Sequence, residues 1–156
     1  MLLVGLVVAV ATAVAWLTLS RPPGTPSTID VPFGSRGTSA GGTWQLRSLE
    51  RADSFTGVDG TVTPVKGATL IVATLDADLR AADPHATCSV TLVVKELLIR
   101  EDTSAAGHPA SLTCGLRGTS PITVAFEVPA LMVRDVKAVV VTTGVGDTLR
   151  LAGTPG

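Results

Sequence analysis

The chain has 156 residues, with 12 basic and 13 acidic side chains and a formal net charge of −1. A near-neutral chain offers no basic face that could neutralise phosphates, so the composition argues against a nucleic-acid partner. Aromatic residues make up only 3% of the chain and Tyr is absent, which leaves few surfaces for stacking on bases or sugars.

The N-terminal residues 1–19 are uncharged and mostly apolar. At 1.5 Å per residue, a helix of this length just spans roughly 30 Å of hydrocarbon, so we expect a transmembrane anchor in the lipid bilayer. Residues 13–15 also match the A-x-A pattern of a cleaved signal peptide, which is the alternative. Within the run, Gly5, Ala9 and Ala13 recur at four-residue spacing and form a face on which another helix could pack.

Residues 20–42 are dense in Pro, Gly, Ser and Thr and predict a flexible linker. Part of it, IDVPF at residues 29–33, could instead lie along the domain as an edge strand. We expect one folded domain over residues 43–156, which is long enough to bury a core.

Beyond the linker, the apolar pattern has a period of two, which predicts strands with one buried face. Trp44 and Leu46 share one face of TWQLRSL, with Gln45 and Arg47 on the other. The run ATLIVATLDADL is apolar on both faces over residues 70–75, as a central strand would be.

The C-terminal third continues this pattern with PITVAFEVP, DVKAVVVTT and TLRLA. One face of the first of these carries Ile122, Val124, Phe126 and Val128, and the last two are separated by GVGD, a loop of hairpin length. Short strands between Gly and Pro residues, without long helical patterns, predict an all-β antiparallel two-sheet sandwich.

The segment KELLIREDTSAAGHP is open to two interpretations, because residues 97–99 could extend a bulged strand or form one helical turn. We expect a strand end followed by a long exposed loop. This loop, from about residue 95 to residue 110, is the predicted place for a binding surface.

Both cysteines are expected to point into the core. Cys88 shares its parity with the most apolar face of its strand, and Cys114 shares its parity with Leu112 and Leu116. If the two strands are neighbours or lie on opposite sheets, a disulfide is geometrically easy, and closing a loop of about 27 residues would stabilise the fold by roughly 3.5 kcal/mol. We therefore expect a disulfide between Cys88 and Cys114, while two reduced buried cysteines would suit a cytoplasmic domain.

Other residues that could carry chemistry give weaker patterns. His85 and His108 would complete a Cys2His2 set, but the spacing is unlike the usual zinc motifs and the histidines fall in loops, so we expect no metal site and no reactive thiol. Asp76, Asp78 and Asp83 could collect Ca²⁺, but they lack EF-hand spacing, and a solvated turn is the preferred interpretation. No catalytic motif is present in the sequence, so we expect neither enzymatic activity nor a cofactor.

The features follow one another in a characteristic order. The apolar run and the linker come first, and they are followed by GTWQLRSLERAD, KGATLIVATLDADL, CSVTLVV to LTCG, and ITVAFEVPALMVRDVKAVVV. This order resembles the immunoglobulin-like extracytoplasmic domains of unknown function on membrane-anchored proteins and lipoproteins of Gram-positive bacteria, particularly actinobacteria. In that group a hydrophobic-x-Val-Pro element, here FEVP, closes a long strand. The chain departs from the group at VVKELLIRED, where an Asp/Gly-rich turn and an aromatic residue are common. The resemblance implies an immunoglobulin-like fold, a place in the cell envelope and no catalytic residues.

The expected orientation follows from opposing signals. Arg21 and Arg36 follow the apolar run, which by the positive-inside rule alone would leave the domain in the cytoplasm. The paired cysteines favour an oxidising space outside the membrane, and we expect a single-pass protein with its C-terminal domain extracytoplasmic. The expected function is non-enzymatic binding of a protein or envelope component. The alternative is an accessory subunit that assembles into a membrane complex through its helix.

Overall fold

The structure is a computed structural model that describes residues 27–57, 60–82, 86–100, 112–113, 119–144 and 146–156. The predicted anchor at residues 1–19, including Gly5, Ala9 and Ala13, lies outside these ranges. Within them, none of the helical structure has the length and apolar character that a membrane crossing requires.

The described residues form twelve strands, which are numbered in chain order. They are β1 Thr28–Val31, β2 Arg36–Ser39, β3 Gly42–Ala52, β4 Phe55–Gly57, β5 Gly60–Val62, β6 Ala68–Asp78, β7 Thr87–Val94, β8 Leu97–Arg100, β9 Leu112–Thr113, β10 Thr119–Pro129, β11 Val136–Thr143 and β12 Thr148–Ala152. A 3-10 helix, Ala130–Asp135, connects β10 to β11.

Ten of these strands form two facing sheets. The first sheet has the order β1-β12-β11-β7-β8, with β9 also paired to β7, and the second has the order β10-β6-β3-β2. Strands β4 and β5 form a separate hairpin. The pairing of β1 with β12 is parallel, and the other pairings in the two sheets are antiparallel. The predicted β-sandwich is therefore confirmed, with the first sheet mixed and not purely antiparallel.

The core lies between the sheets and is built from the strand faces that the sequence pattern predicts. Trp44 and Phe126 are fully buried, and the predicted apolar faces of β7 and β10 point inward with them. Strand β6 is central in its sheet, as expected, and is buried at both Leu70 and Ile71. Removal of these apolar surfaces from water is the main term that favours the fold.

A bulge in β3 keeps its apolar face toward the core. The register of β3 against β6 shifts between Leu46 and Ser48, and one extra residue in a strand reverses the side-chain parity beyond it. With a regular register, Ser48 and Glu50 would follow Leu46 inward. With the bulge, Leu49 is buried and Glu50 is exposed.

Ordered strands occupy part of the region predicted as a flexible linker. Strands β1 and β2 lie within residues 20–42 and pair with β12 and β3. Val31 is buried beside Gly37, where an added Cβ would lie 2.7 Å from Val31 Cγ2. The linker prediction is thus wrong from Thr28 onward, and the edge-strand alternative is right for Ile29 to Val31. Composition alone misleads here because paired backbone groups can order a segment with few apolar side chains.

The segment after β7 begins with a tight hairpin, and residues 97–100 form β8, where we expected a strand end and the start of a long loop. Lys95 and Glu96 connect Val94 to Leu97, which are paired across β7 and β8. Lys95 has a φ of +56°, a conformation that favours Gly or Asn in two-residue hairpins, so the sequence carries no turn signal there. The rest of the predicted binding loop, residues 101–110, lies outside the described residues.

Candidate functional site

The outer face of the four-stranded sheet carries a shallow cleft of about 550 Å³, called the polar cleft below. Backbone pairing aligns outward-facing positions of four strands in one row, Arg36, Gln45, Asp76 and Pro121. Because side chains alternate across a strand, burial of Trp44, Leu46, Leu75 and Ala77 on the inner face turns their sequence neighbours outward. The polar cleft therefore collects Arg36, Gln45, Arg47, Asp76, Asp78 and Arg80.

Two ion pairs fix the position of two guanidinium groups in the polar cleft. Arg47 Nη2 lies 2.8 Å from Asp76 Oδ2. Arg80 binds Asp78 with both arms of its fork, at 2.9 Å from Nε to Oδ1 and 2.6 Å from Nη2 to Oδ2. These bidentate charge-assisted bonds define the direction as well as the distance of the pair.

The Asp78 carboxylate is held in its ionised form. The side-chain hydrogen bonds of Arg80 lower its pKa to about 2, aided by the Arg80 backbone N–H and by the charges of Arg80 and Arg36. The same contact raises the pKa of Arg80. The pair is therefore fully charged at neutral pH.

Arg36 is held differently from the other two arginines. Its Nε donates to Gln45 Oε1 at 3.4 Å, and Gln45 Nε2 donates in turn to the Gly34 carbonyl oxygen at 2.6 Å. Gly34 has a φ of +74° in the turn before β2, as the third position of a type II turn requires. Among the described residues, Arg36 forms no ion pair with a carboxylate.

The acidic residues that we considered as Ca²⁺ ligands have other partners. Asp76 and Asp78 pair with Arg47 and Arg80, and Asp83 lies outside the described residues. Within the described ranges, no three His, Cys, Asp or Glu side chains are grouped so that they could hold a metal ion. The interpretation of residues 76–83 as a solvated turn did not include these ion pairs. The Arg47–Asp76 pair joins β3 to β6, so it depends on which strands are neighbours.

Cys88 is buried at 1% exposure, as its parity predicts, and no cysteine of the described residues is free. Strand β9 pairs with β7 so that Leu112 is opposite Cys88 and Thr113 is opposite Thr87. Cys114 follows Thr113 in the sequence but lies outside the described residues, as do His85 and His108. The Cys88–Cys114 disulfide thus remains a prediction. Strand β9, which directly precedes Cys114, is a neighbour of β7, as a disulfide between the two cysteines would require.

A second polar cluster closes one end of the sandwich. Ser27 donates to Asp147 Oδ1 from its backbone N–H at 3.0 Å and from its hydroxyl at 2.7 Å, which lowers the pKa of Asp147. The Ser39 hydroxyl donates to the Asp147 carbonyl oxygen and lies 3.0 Å from Thr143 Oγ1. These bonds attach the start of β1 and the end of β2 to the β11–β12 loop, so we assign the cluster a structural role.

Two solved structures are similar to the chain. A conserved hypothetical protein from Bacillus anthracis matches with a TM-score of 0.51 and 12% identity, over 76% of this chain and 93% of that protein. An uncharacterized β-sandwich protein from Clostridium difficile 630 matches with a TM-score of 0.44 and 11% identity, over 84% and 99% of the two chains. The first likeness supports the fold alone. No protein-family model and no curated protein sequence matches the chain.

Sequence reasoning did not find the polar cleft, although part of its signal is visible. The alternation in TWQLR places Gln45 and Arg47 on the face opposite Trp44, so the outward direction of these two side chains was predicted. The contribution of Arg36 to the cleft could not be predicted, because its segment was expected to be a flexible linker. The arrangement also depends on β3 pairing with both β2 and β6.

Proposed function

We propose that the protein is a membrane-tethered, non-enzymatic domain outside the cell membrane that binds a protein or cell-envelope component through the polar cleft. The observation that carries this proposal is the cleft, whose charged side chains are held in place by the ion pairs of Arg47 and Arg80. Side chains that are already ordered lose less conformational entropy when a partner binds, so a preorganised surface favours association.

The strand order supports the immunoglobulin-like part of the proposal. In the immunoglobulin fold, strands A, B and E are neighbours in one sheet, and C, F and G are neighbours in the other. Here β3, β6 and β10 are neighbours in the second sheet, and β7, β11 and β12 are neighbours in the first, in the same chain order. The uncharged run at residues 1–19 supports the tether, and Ser27, the first described residue, is held at the edge of the first sheet through Asp147.

The proposal is tested by site-specific photo-crosslinking in native membranes. A benzoylphenylalanine at Thr38, an exposed position on the same sheet face, is expected to give a discrete adduct. The matched control is Thr142, an exposed position on the outer face of the other sheet. Equal adducts at both positions, or none at Thr38, would contradict binding through the polar cleft. Resistance of the domain to protease added to intact cells would contradict its extracytoplasmic location.

The alternative, an accessory subunit of a membrane complex, is favoured by the small-residue spacing of Gly5, Ala9 and Ala13. It predicts a stoichiometric partner after mild detergent extraction, and loss of that partner in Gly5→Leu or Ala9→Leu. A partner retained in these variants but lost in Arg36→Glu would favour the polar cleft.

A further inference from the structure

The polar cleft has an excess of positive charge at one residue. It contains three guanidinium groups, from Arg36, Arg47 and Arg80, and two carboxylates, from Asp76 and Asp78, which gives a net charge of +1 (3 − 2 = 1). The two carboxylates are each engaged by one guanidinium, from Arg47 and Arg80. The unmatched positive charge within the cleft is therefore that of Arg36.

The side chain of Arg36 is positioned to accept one more partner. Its Nε is oriented by Gln45, whereas its two terminal NH2 groups make no hydrogen bond to any described residue. Its side chain lines the cleft, and its positive charge contributes to the lowered pKa of Asp78. The two terminal groups together can bind one carboxylate in a bidentate pair.

We infer that the polar cleft binds an acidic segment of a protein partner, with one Asp or Glu carboxylate of that partner paired to Arg36. This inference rests on the proposed function. A single carboxylate meets the unmatched charge of Arg36. A dense polyanion such as a phosphate polymer carries many negative charges, and the cleft offers unmatched positive charge for only one of them. The Gln45 amide already binds Arg36 and Gly34, and Thr43 Oγ1 lies 3.4 Å from Thr38 Oγ1. Each of these groups can still form one more hydrogen bond, which a peptide backbone at the same surface could provide.

The test follows the Nε–Hε resonances of the arginines by NMR, in the full chain held in an uncharged detergent. The probes are the peptides acetyl-Ala-Glu-Ala-amide and acetyl-Ala-Gln-Ala-amide, and inorganic phosphate. We expect a saturable shift of the Arg36 resonance with the Glu peptide and none with the Gln peptide. In Arg36→Gln, the apparent Kd read from Arg47 and Arg80 should rise roughly tenfold or more, because a charge-assisted bond is lost.

Arg51→Gln is the matched control, since Arg51 is an exposed arginine of β3, in the same sheet as Arg36 but outside the cleft. Its affinity for the Glu peptide should equal that of the wild-type chain. Equal shifts of Arg51 and Arg36 with the Glu peptide, or saturable binding of phosphate without binding of the peptide, would overturn the inference. If position 38 forms a crosslink but the Arg36 resonance does not shift with the Glu peptide, the inference about the carboxylate fails, whereas binding through this face is still supported. If the peptide binds but no crosslink forms, the proposed function fails instead.

Discussion

In the turn between β2 and β3, substitutions at two neighbouring residues are expected to change stability in opposite directions. Ala40 and Gly41 connect the paired residues Ser39 and Gly42, with φ values of 48° and 76°, and positive φ at both positions is typical of a type I′ hairpin. A Cβ at Gly41 would collide with the backbone carbonyl oxygen of Ala81 and lie 3.0 Å from its carbonyl carbon. Since the obstacle is backbone, no side-chain rotation can relieve it.

The expected size of each effect follows from these contacts. For Gly41→Ala, the left-handed conformation costs about 1 to 2 kcal/mol and the forced shift of packed backbone another 1 to 3 kcal/mol or so, giving about 3 kcal/mol of destabilisation. For Ala40→Gly, relief of about 1 to 2 kcal/mol of left-handed strain exceeds the roughly 0.4 to 1 kcal/mol lost through a more flexible unfolded chain. A net gain of about 0.5 to 1 kcal/mol is expected.

Both effects can be measured by urea unfolding of the full chain in an uncharged detergent. Trp44 is fully buried and reports on the core, provided that Trp16 is replaced by Phe in every variant. With a urea slope of about 1 to 3 kcal/mol per molar, the midpoint of Gly41→Ala should fall by about 1 M or more. A Gly41→Ala midpoint within error of the parent chain would refute the close packing of this turn against Ala81. A clear loss of stability in Ala40→Gly would refute the left-handed strain at Ala40.

Three further predictions concern the other hairpin, the cysteines and the ion pairs. Lys95→Gly should be more stable to urea than Lys95→Ala by about 0.5 to 1 kcal/mol. Both variants lose the exposed Lys95–Asp135 ion pair at 3.2 Å, but only Gly relieves the strain of the left-handed conformation. Equal urea midpoints would contradict strain at Lys95. Mass spectrometry should show that Cys88 and Cys114 react with an alkylating reagent only after the protein has been reduced. Reduction should also lower the free energy of unfolding by roughly 3.5 kcal/mol. Alkylation of both cysteines without reductant would exclude the disulfide. The lowered pKa of Asp78 means that its ion pair adds stability above pH 3.8 and that this contribution is lost as the pH falls towards about 2, so the urea midpoints of wild type and Asp78→Asn should converge over that range. A midpoint difference that does not depend on pH would contradict the assignment.

The faces of the strands were predictable because parity is a local property. Burial of Val124 and Phe126 on one side of β10 follows from alternation alone, and so does the inward direction of Cys88. The hairpin at Lys95 was not predictable, since a residue with an unfavourable positive φ is held there by tertiary contacts. The backbone N–H of Lys95 donates to the Asp135 carbonyl oxygen at 2.9 Å, across the end of the sandwich.

The polar cleft could not be derived from the sequence because it depends on sheet order. Arg36, Gln45 and Asp76 are far apart in the chain and meet only where β2, β3 and β6 are paired. Alternation can place each of them on an outer face, but it does not say which strands are neighbours. The same holds for Pro121, which reaches the row from β10.

The bulge in β3 connects the core to the polar cleft. The residues on either side of Arg47 keep the pairing of a regular strand, with Leu46 opposite Leu75 and Ser48 opposite Thr74. If residue 47 were absent, Leu46 and Leu49 would still face the core, so burial does not require the extra residue. What the extra residue adds is the Arg47 side chain, whose Nη2 lies 2.8 Å from Asp76. Because bulges re-aim side chains, the extra residue places an arginine on the outer face of β3, beside Asp76.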